Sequence, residues 1–152
     1  MLRHTIAAVG RARRGPVAAL FVDYVRRTPW PIRLIEIHAA ARDPAASARD
    51  EHAQLLTAIP SGAGVVALDG SGRDLSSEDL ARRLADWRRD GMREVAWLIG
   101  GADGLSDDLR QRADLMLAFG RQTWPHLLVR VMLAEQLYRA STILAGHPYH
   151  RA

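Results

Sequence analysis

Short apolar runs alternate with amphipathic stretches along most of this chain. Thr5 to Val9 and Ile32 to Ile37 have the length and composition of strands. Between them, Pro16 to Arg27 places Val17, Leu20, Phe21, Tyr24 and Val25 at spacings of three and four, which predicts one apolar helical stripe. Asp43 followed by Pro44 is an N-cap and first-turn signal for a helix running toward Ile59. Pro60-Ser61-Gly62-Ala63-Gly64 is a turn, and Val65 to Leu68 is the third strand. Ser76 and Asp79 stand at capping-box spacing ahead of a helix that buries Leu80, Leu84 and Trp87 and stops at Gly91. Val95 to Ile99 is the fourth strand. Ser106 caps a short helix through Arg112, Leu115 to Phe119 is the fifth strand, and a final helix runs from about His126 to Ala145.

Strands alternating with helices predict an α/β fold, a mostly parallel sheet with helices on both faces. No internal repeat, low-complexity tract or linker interrupts the pattern, so residues 1–152 are expected to form a single domain. The final helix carries two apolar stripes, one of Leu127, Val131, Ala134, Leu137 and Leu144 and another of Leu128, Met132 and Leu133. A helix apolar on two sides needs cover on both. In a domain this small the expected cover is a second copy, making a homodimer through this helix.

Composition narrows the chemistry. Cysteine is absent, which removes disulfides, thiolate metal sites and cysteine nucleophiles. All 21 Lys+Arg positions are arginine, so no lysine is available for a Schiff base or a phosphate loop. A formal net charge of +4 makes a polyanionic partner plausible, and arginine forks suit phosphate. The N-terminal segment contains Arg3 and His4 and lacks a signal-peptide pattern; no apolar run approaches the roughly 20 residues that span a bilayer. The expectation is a cytoplasmic protein with no membrane association.

Three loops follow strands at what the parallel arrangement makes one edge. They are Leu68-Asp69-Gly70, Gly100-Gly101-Ala102-Asp103-Gly104 and Gly120-Arg121-Gln122-Thr123-Trp124-Pro125. Ligands of open α/β sheets bind at that edge, and glycine there lets a ligand approach the main chain. Each loop is also an ordinary turn; three together point to a pocket of amides, carbonyls and apolar groups. No G-x-S-x-G element or zinc-helix motif is present, and His147 with His150 lacks a third ligand, so no metal is expected.

Glu135 and Arg139 have the spacing of a helical ion pair. Arg130 lies in the most apolar part of the last helix, where an unpaired guanidinium is costly. It must reach solvent or meet a partner group, across a subunit interface or on nucleic acid. The chain closes on Tyr149, His150 and Arg151, which are either a frayed end or an arm offering a stacking ring, an imidazole and a phosphate-binding fork.

These segments resemble the bacterial large-subunit ribosomal RNA pseudouridine N3-methyltransferases, the RlmH family of the SPOUT superfamily. The resemblance rests on Leu68-Asp69, Leu75-Ser76-Ser77-Glu78, Ile99-Gly100-Gly101-Ala102-Asp103-Gly104-Leu105, Trp124-Pro125-His126, Leu128-Val129-Arg130-Val131, Glu135-Gln136-Leu137-Tyr138-Arg139-Ala140 and Pro148-Tyr149-His150-Arg151. It is dense from Val65 onward and thin between Arg42 and Pro60. It implies a SPOUT-type sheet with a deep C-terminal trefoil knot, a homodimer, and S-adenosyl-L-methionine as methyl donor. It implies methyl transfer to N3 of a pseudouridine in 23S rRNA of the assembled 70S ribosome. The donor-binding residues would be Leu68, Asp69, Gly100, Gly101, Gly120, Arg121, Gln122, Thr123, Trp124 and Pro125. His150, Tyr149 and Arg151 would be the catalytic arm, and Arg139, Arg130 and Arg151 would contact RNA. Many relatives carry serine where this chain has Gly120 and leucine where it has Trp124. Two other readings stay open at this point, a non-catalytic ribosome-associated RNA-binding module and another α/β enzyme with a nucleotide cofactor.

Overall fold

The computed structural model describes residues 1–40 and 42–151; Ala41 and Ala152 lie outside the described residues. The elements are β1 (Arg3–Val9), α1 (Pro16–Arg27), β2 (Ile32–Ile37), α2 (Pro44–Ala58), β3 (Gly64–Asp74), α3 (Ser77–Arg89), β4 (Glu94–Ile99), α4 (Asp107–Arg112), β5 (Leu115–Ala118) and α5 (His126–Leu144). The five strands form one parallel sheet in the order β2-β1-β4-β3-β5. The expected caps are present: Asp43, Ser76 and Ser106 accept from the backbone N–H groups of Ala46, Asp79 and Leu109.

Strand alternation divides the core in two. Ile6, Ala8, Val66, Val95, Trp97 and Ile99 face Phe21 of α1, Leu80 and Leu84 of α3, and Val131, Leu133 and Leu137 of α5. Ala7, Val9, Val65, Ala67 and Leu98 face Leu55 of α2 and Leu109 of α4. Central strands buried on both sides read as unbroken apolar runs, which is why β1 and β4 show no polar alternation. Each fully buried leucine- or phenylalanine-sized side chain contributes about 1.5–3 kcal/mol of transfer free energy.

Three expectations change. The third strand does not stop at Leu68: β3 continues to Asp74, with a register shift that sets both Leu68 and Arg73 opposite Leu117 of β5. Gly72 makes that crossing possible, since a Cβ there would lie 2.7 Å from the Leu117 N and C atoms. The second apolar stripe of α5 is also partly covered within the chain. Leu133 is buried and Met132 half-buried, because α5 packs against both α1 and α3; Leu128 and Leu144 remain exposed. Leu20, assigned to the buried stripe of α1, is exposed as well. Among the described residues, no helix is long and apolar enough to cross a membrane.

Candidate methyl-donor site and C-terminal arm

Because every strand is parallel, the loops after β4 and β5 emerge at one edge, together with Leu68-Asp69-Gly70, which was expected as a loop and is instead the stretch of β3 where the ladder breaks register before the strand continues to Asp74. They enclose a cavity of about 620 Å³ lined by Leu68, Asp69, Gly70, Ile99 to Ala102, Gly104, Leu117 to Pro125, His126 and Val129. All ten residues expected to hold the donor lie on its wall. The volume falls within the usual range for small-molecule pockets, roughly 300–1,000 Å³.

Main-chain geometry shapes this wall. The turn after β4 closes through Gly104 N donating to Gly101 O at 3.0 Å. A Cβ on Gly100 would sit 2.6 Å from the Gly104 carbonyl, so no side chain fits there. Gly120 has φ +82°, in the left-handed region, and open space where its Cβ would be. Trp124 stays exposed while its indole N–H donates to Phe119 O at 2.9 Å, clasping the two ends of the Gly120–Trp124 loop. Pro125 is the N-cap of α5, its carbonyl taking the N–H groups of Leu128 and Val129.

Few charges face the cavity: Asp69, Arg121 and His126. Burial pushes the Asp69 carboxyl up, but the Ser71 hydroxyl and N–H and the Arg110 guanidinium outweigh it and hold the group below the usual aspartate value. Arg110 donates from Nε at 2.9 Å, so Asp69 enters the wall as a carboxylate already partly neutralised. A wall of amides, carbonyls and apolar side chains suits a flat neutral ring and a compact charged end, and is a poor match for a triphosphate. Sequence reasoning missed His126, Phe119 and Val129 as wall residues and Arg110 as the partner of Asp69. The first three were reachable from the strand ends and the start of α5; nothing in the linear sequence marks the fourth.

The C-terminal arm is ordered but elsewhere. Glu135 Oε1 accepts from Arg139 Nε at 3.0 Å and Nη2 at 2.6 Å, which realises the expected i,i+4 pair, and also from the Tyr149 hydroxyl at 3.1 Å. Tyr149 packs edge-on against Tyr138 with centroids 4.6 Å apart, and the Arg139 guanidinium lies 4.8 Å from its ring. Arg139 Nη1 lies 3.1 Å from His150 Nδ1, and His150 Nε2 lies 2.7 Å from Glu78 Oε1 on α3. An arginine only donates, so Nδ1 accepts and Nε2–H donates to Glu78. Both imidazole nitrogens are therefore engaged. Burial, with Glu135 beside it, pushes the Tyr149 phenol up to about 12, so it stays protonated at neutral pH. Arg151 is exposed.

This arm does not line the cavity of its own chain. The cavity meets the start of α5, whereas the arm follows its end, 19 residues later. The arm folds back along α5 as far as Glu135, nine residues or roughly 14 Å along the helix from the cavity residue His126.

One RNA-contact assignment is corrected. Arg130 is 1% exposed and sits inside the protomer, donating from Nη1 to Glu36 Oε2 at 2.7 Å and from Nη2 to Gly10 O at 3.3 Å. It meets its partner group within the chain, on β2, rather than on nucleic acid or another subunit.

The family profile described as "Predicted SPOUT methyltransferase" matches residues 2–150. The chain belongs to the SPOUT methyltransferase family. It is 55% identical over 152 residues to a ribosomal RNA large subunit methyltransferase H of Rhodospirillum centenum, covering 99% of this chain and 100% of that one. It is likewise 55% identical to the protein of that name from Paramagnetospirillum magneticum, over 99% of each chain. The resemblance read from the sequence is borne out at full length. Among solved structures, a probable methylase family protein from Haemophilus influenzae Rd KW20 shares the fold at TM-score 0.63 and 11% identity, over 99% of this chain and 70% of that one.

Proposed function

We propose that this SPOUT protein transfers the methyl group of S-adenosyl-L-methionine to N3 of a pseudouridine in 23S rRNA of the assembled ribosome. The single observation that carries the reading is the glycine-walled cavity at three neighbouring strand exits. Near-full-length relatives named ribosomal RNA large subunit methyltransferase H add support for the RNA class.

The wall fits the donor. Leu68, Ile99, Leu117 and Val129 offer apolar surface to a purine, and the main chain of residues 118–125 offers amides and carbonyls to its ring edge. Asp69, Arg121 and His126 are placed to meet the charged amino-acid end. When bound, S-adenosyl-L-methionine supplies an electrophilic methyl carbon. The protein's own contribution is to hold that carbon in line with the acceptor nitrogen and to take up the N3 proton.

Proton uptake is assigned to the arm, with His150 as first candidate and Arg151 and Arg139 on phosphate. Since the arm reaches back along α5 only to Glu135 and does not line its own cavity, the arm of a second copy completes the site. Exposed Leu128 on α5 and Leu20 on α1 are apolar surface for the expected homodimer through α5. In a working site His150 must exchange at least one of its contacts to Glu78 and Arg139 for the substrate. The trefoil knot remains part of this reading on the family resemblance, and the irregular β3 segment between Leu68 and Arg73, beside β5, is the chain it would involve.

The deciding experiment is nucleoside mass spectrometry of ribosomal RNA from cells with and without the protein. Loss of N3-methylpseudouridine on deletion, with restoration by the gene, is the expected result. Unchanged nucleosides together with no S-adenosyl-L-methionine binding by calorimetry would leave only the non-catalytic RNA-binding reading. His150→Ala with an undiminished single-turnover rate would remove His150 from proton uptake, and a stable monomer in equilibrium sedimentation at micromolar concentration would remove the dimer.

A further inference from the structure

The loop between β1 and α1 reads Gly10-Arg11-Ala12-Arg13-Arg14-Gly15, and no acidic residue precedes Asp23 in the chain. Arg11, Arg13 and Arg14 are exposed, and among the described residues none of the three forms an ion pair. A cluster of three cations within four residues, free of carboxylate partners, is a candidate anion-binding surface.

The loop starts beside the cavity residue His126 and is held there by the ion pair of buried Arg130 with exposed Glu36, which the catalytic reading leaves unused. Glu36 Oε2 accepts both the Ala12 N–H at 2.7 Å and Arg130 Nη1 at 2.7 Å, while Arg130 Nη2 donates to Gly10 O. Gly10 N donates to Ile37 O at 2.9 Å. Gly10 has φ +102°, and a Cβ on it would lie 2.8 Å from Nε2 of His126, a cavity residue. On the neighbouring strand, Val9 Cγ1 stands 3.0 Å from the Cβ position of Gly101, on the cavity wall. The loop is therefore pinned from β2, α5 and the β4 exit at once.

Electrostatics leave its charge available. Glu36 is the carboxylate facing the loop, and its charge is already met by Arg130. Burial raises the Glu36 carboxyl, but the Ala12 N–H, the Arg130 bond and charge, and nearby Arg11 outweigh burial and hold it below the usual glutamate value. The first turn of α1 carries no acidic residue, and Gly15 gives it no side-chain cap. A buried guanidinium is costly unless paired, and Arg130 meets that need with Glu36 and the Gly10 carbonyl, which fixes where the loop leaves β1. The arginine loop therefore starts next to the cavity residue His126.

We propose that Arg11, Arg13 and Arg14 grip the sugar-phosphate backbone of the RNA flanking the target nucleotide, on a loop positioned by the Arg130–Glu36 pair. The inference rests on the RNA methyltransferase reading above and names a contact surface for it. Planar guanidinium forks match phosphate oxygens bidentately, and such contacts set position without reading sequence. The arginines then orient the RNA so that the extruded base points at the cavity.

The test uses the full-length protein and salt-washed ribosomes from cells lacking it. Wild type is compared with a variant combining Arg11→Ala, Arg13→Ala and Arg14→Ala, and with one carrying lysine at the same positions. S-adenosyl-L-methionine calorimetry and thermal melting report on cavity and fold. The alanine variant should bind the donor as wild type does, bind ribosomes about tenfold or more weakly, and lower the slope of log affinity against log salt by about three. The lysine variant should keep most of that slope. Equal affinity and equal slope for the alanine variant and wild type would overturn the inference while leaving the activity intact. A wild-type protein that neither binds nor methylates the ribosomes would overturn the reading beneath it, and the inference with it.

Discussion

The cavity at the strand exits and the arm beyond α5 are built by opposite means. The cavity wall is mostly backbone: Gly101 and Gly104 in a turn closed by their own peptide groups, and Gly120 at positive φ. The arm is held by side chains: Glu135, Arg139, Tyr149, His150 and Glu78 in one connected set of hydrogen bonds. Backbone geometry tolerates changes in side-chain identity as long as the conformation remains accessible. A network of charged side chains fails when any one member loses its partner.

Substitutions that remove conformational freedom from the cavity should have the largest effect. Gly100→Ala forces a methyl group into the Gly104 carbonyl, and we expect about 3 kcal/mol of destabilisation by urea unfolding. Donor affinity should fall about a hundredfold or more by calorimetry, equivalent to roughly 2.7 kcal/mol. A well-folded variant that binds the donor normally would break the contrast on the cavity side.

Next comes acid sensitivity of the sheet that carries both regions. His4 is buried and accepts the Trp97 indole N–H at 3.1 Å; burial lowers it from 6.5 to about 3. The folded state keeps this imidazole neutral while the unfolded chain protonates it. Its contribution is therefore complete above pH 6.5 and is lost as pH falls from there toward 3, an effect of a few kcal/mol. Urea midpoints measured across that window should fall in wild type and flatten in a His4→Phe variant.

The arm should respond differently. Glu135→Ala strips Arg139 and Tyr149 of a shared acceptor, and methyl transfer to ribosomes should drop about 10- to 100-fold. Donor affinity should be unchanged, and stability should fall by only about 1 kcal/mol because these groups keep access to water. A parallel loss of donor binding would show that arm and cavity are not separate devices. The smallest effect is expected for Gln122→Ala, where only an exposed side chain on the wall is lost: donor affinity should change by about twofold or less. A tenfold loss there would mean that side chains, and not the main chain, hold the ligand.

Much of the fold was legible because period and caps are local. The five strands and five helices fall within a few residues of their predicted bounds, and Asp43, Ser76 and Ser106 cap as expected. The exception, the extension of β3 to Asp74, depends on a crossing with Leu117 more than 40 positions later, which no local pattern encodes. The candidate site was legible to the same extent. Glycine and proline after consecutive strands marked the loops, and parallel topology then gathered them at one edge.

Arg130 shows where such reading ends. Its spacing in an apolar helix announced that a partner was needed, and its chain position could not say which. Glu36 stands 94 residues away, and only the packing of α5 beside α1 on one face of the sheet brings the two together. The arginine-bearing β1–α1 loop, read as net charge in the sequence, starts beside the cavity residue His126 for the same reason.

What this chain determined by itself is the set of elements, their turns and the residues free to line a pocket, since helix period, capping and glycine freedom act over a few neighbouring residues. Tertiary structure alone decided which carboxylate neutralises Arg130, how β3 shifts register along β5, and that the arm folds back on α5 without lining its own cavity. Those outcomes depend on distances between segments far apart along the chain, and such distances are set by the packing of helices on the sheet.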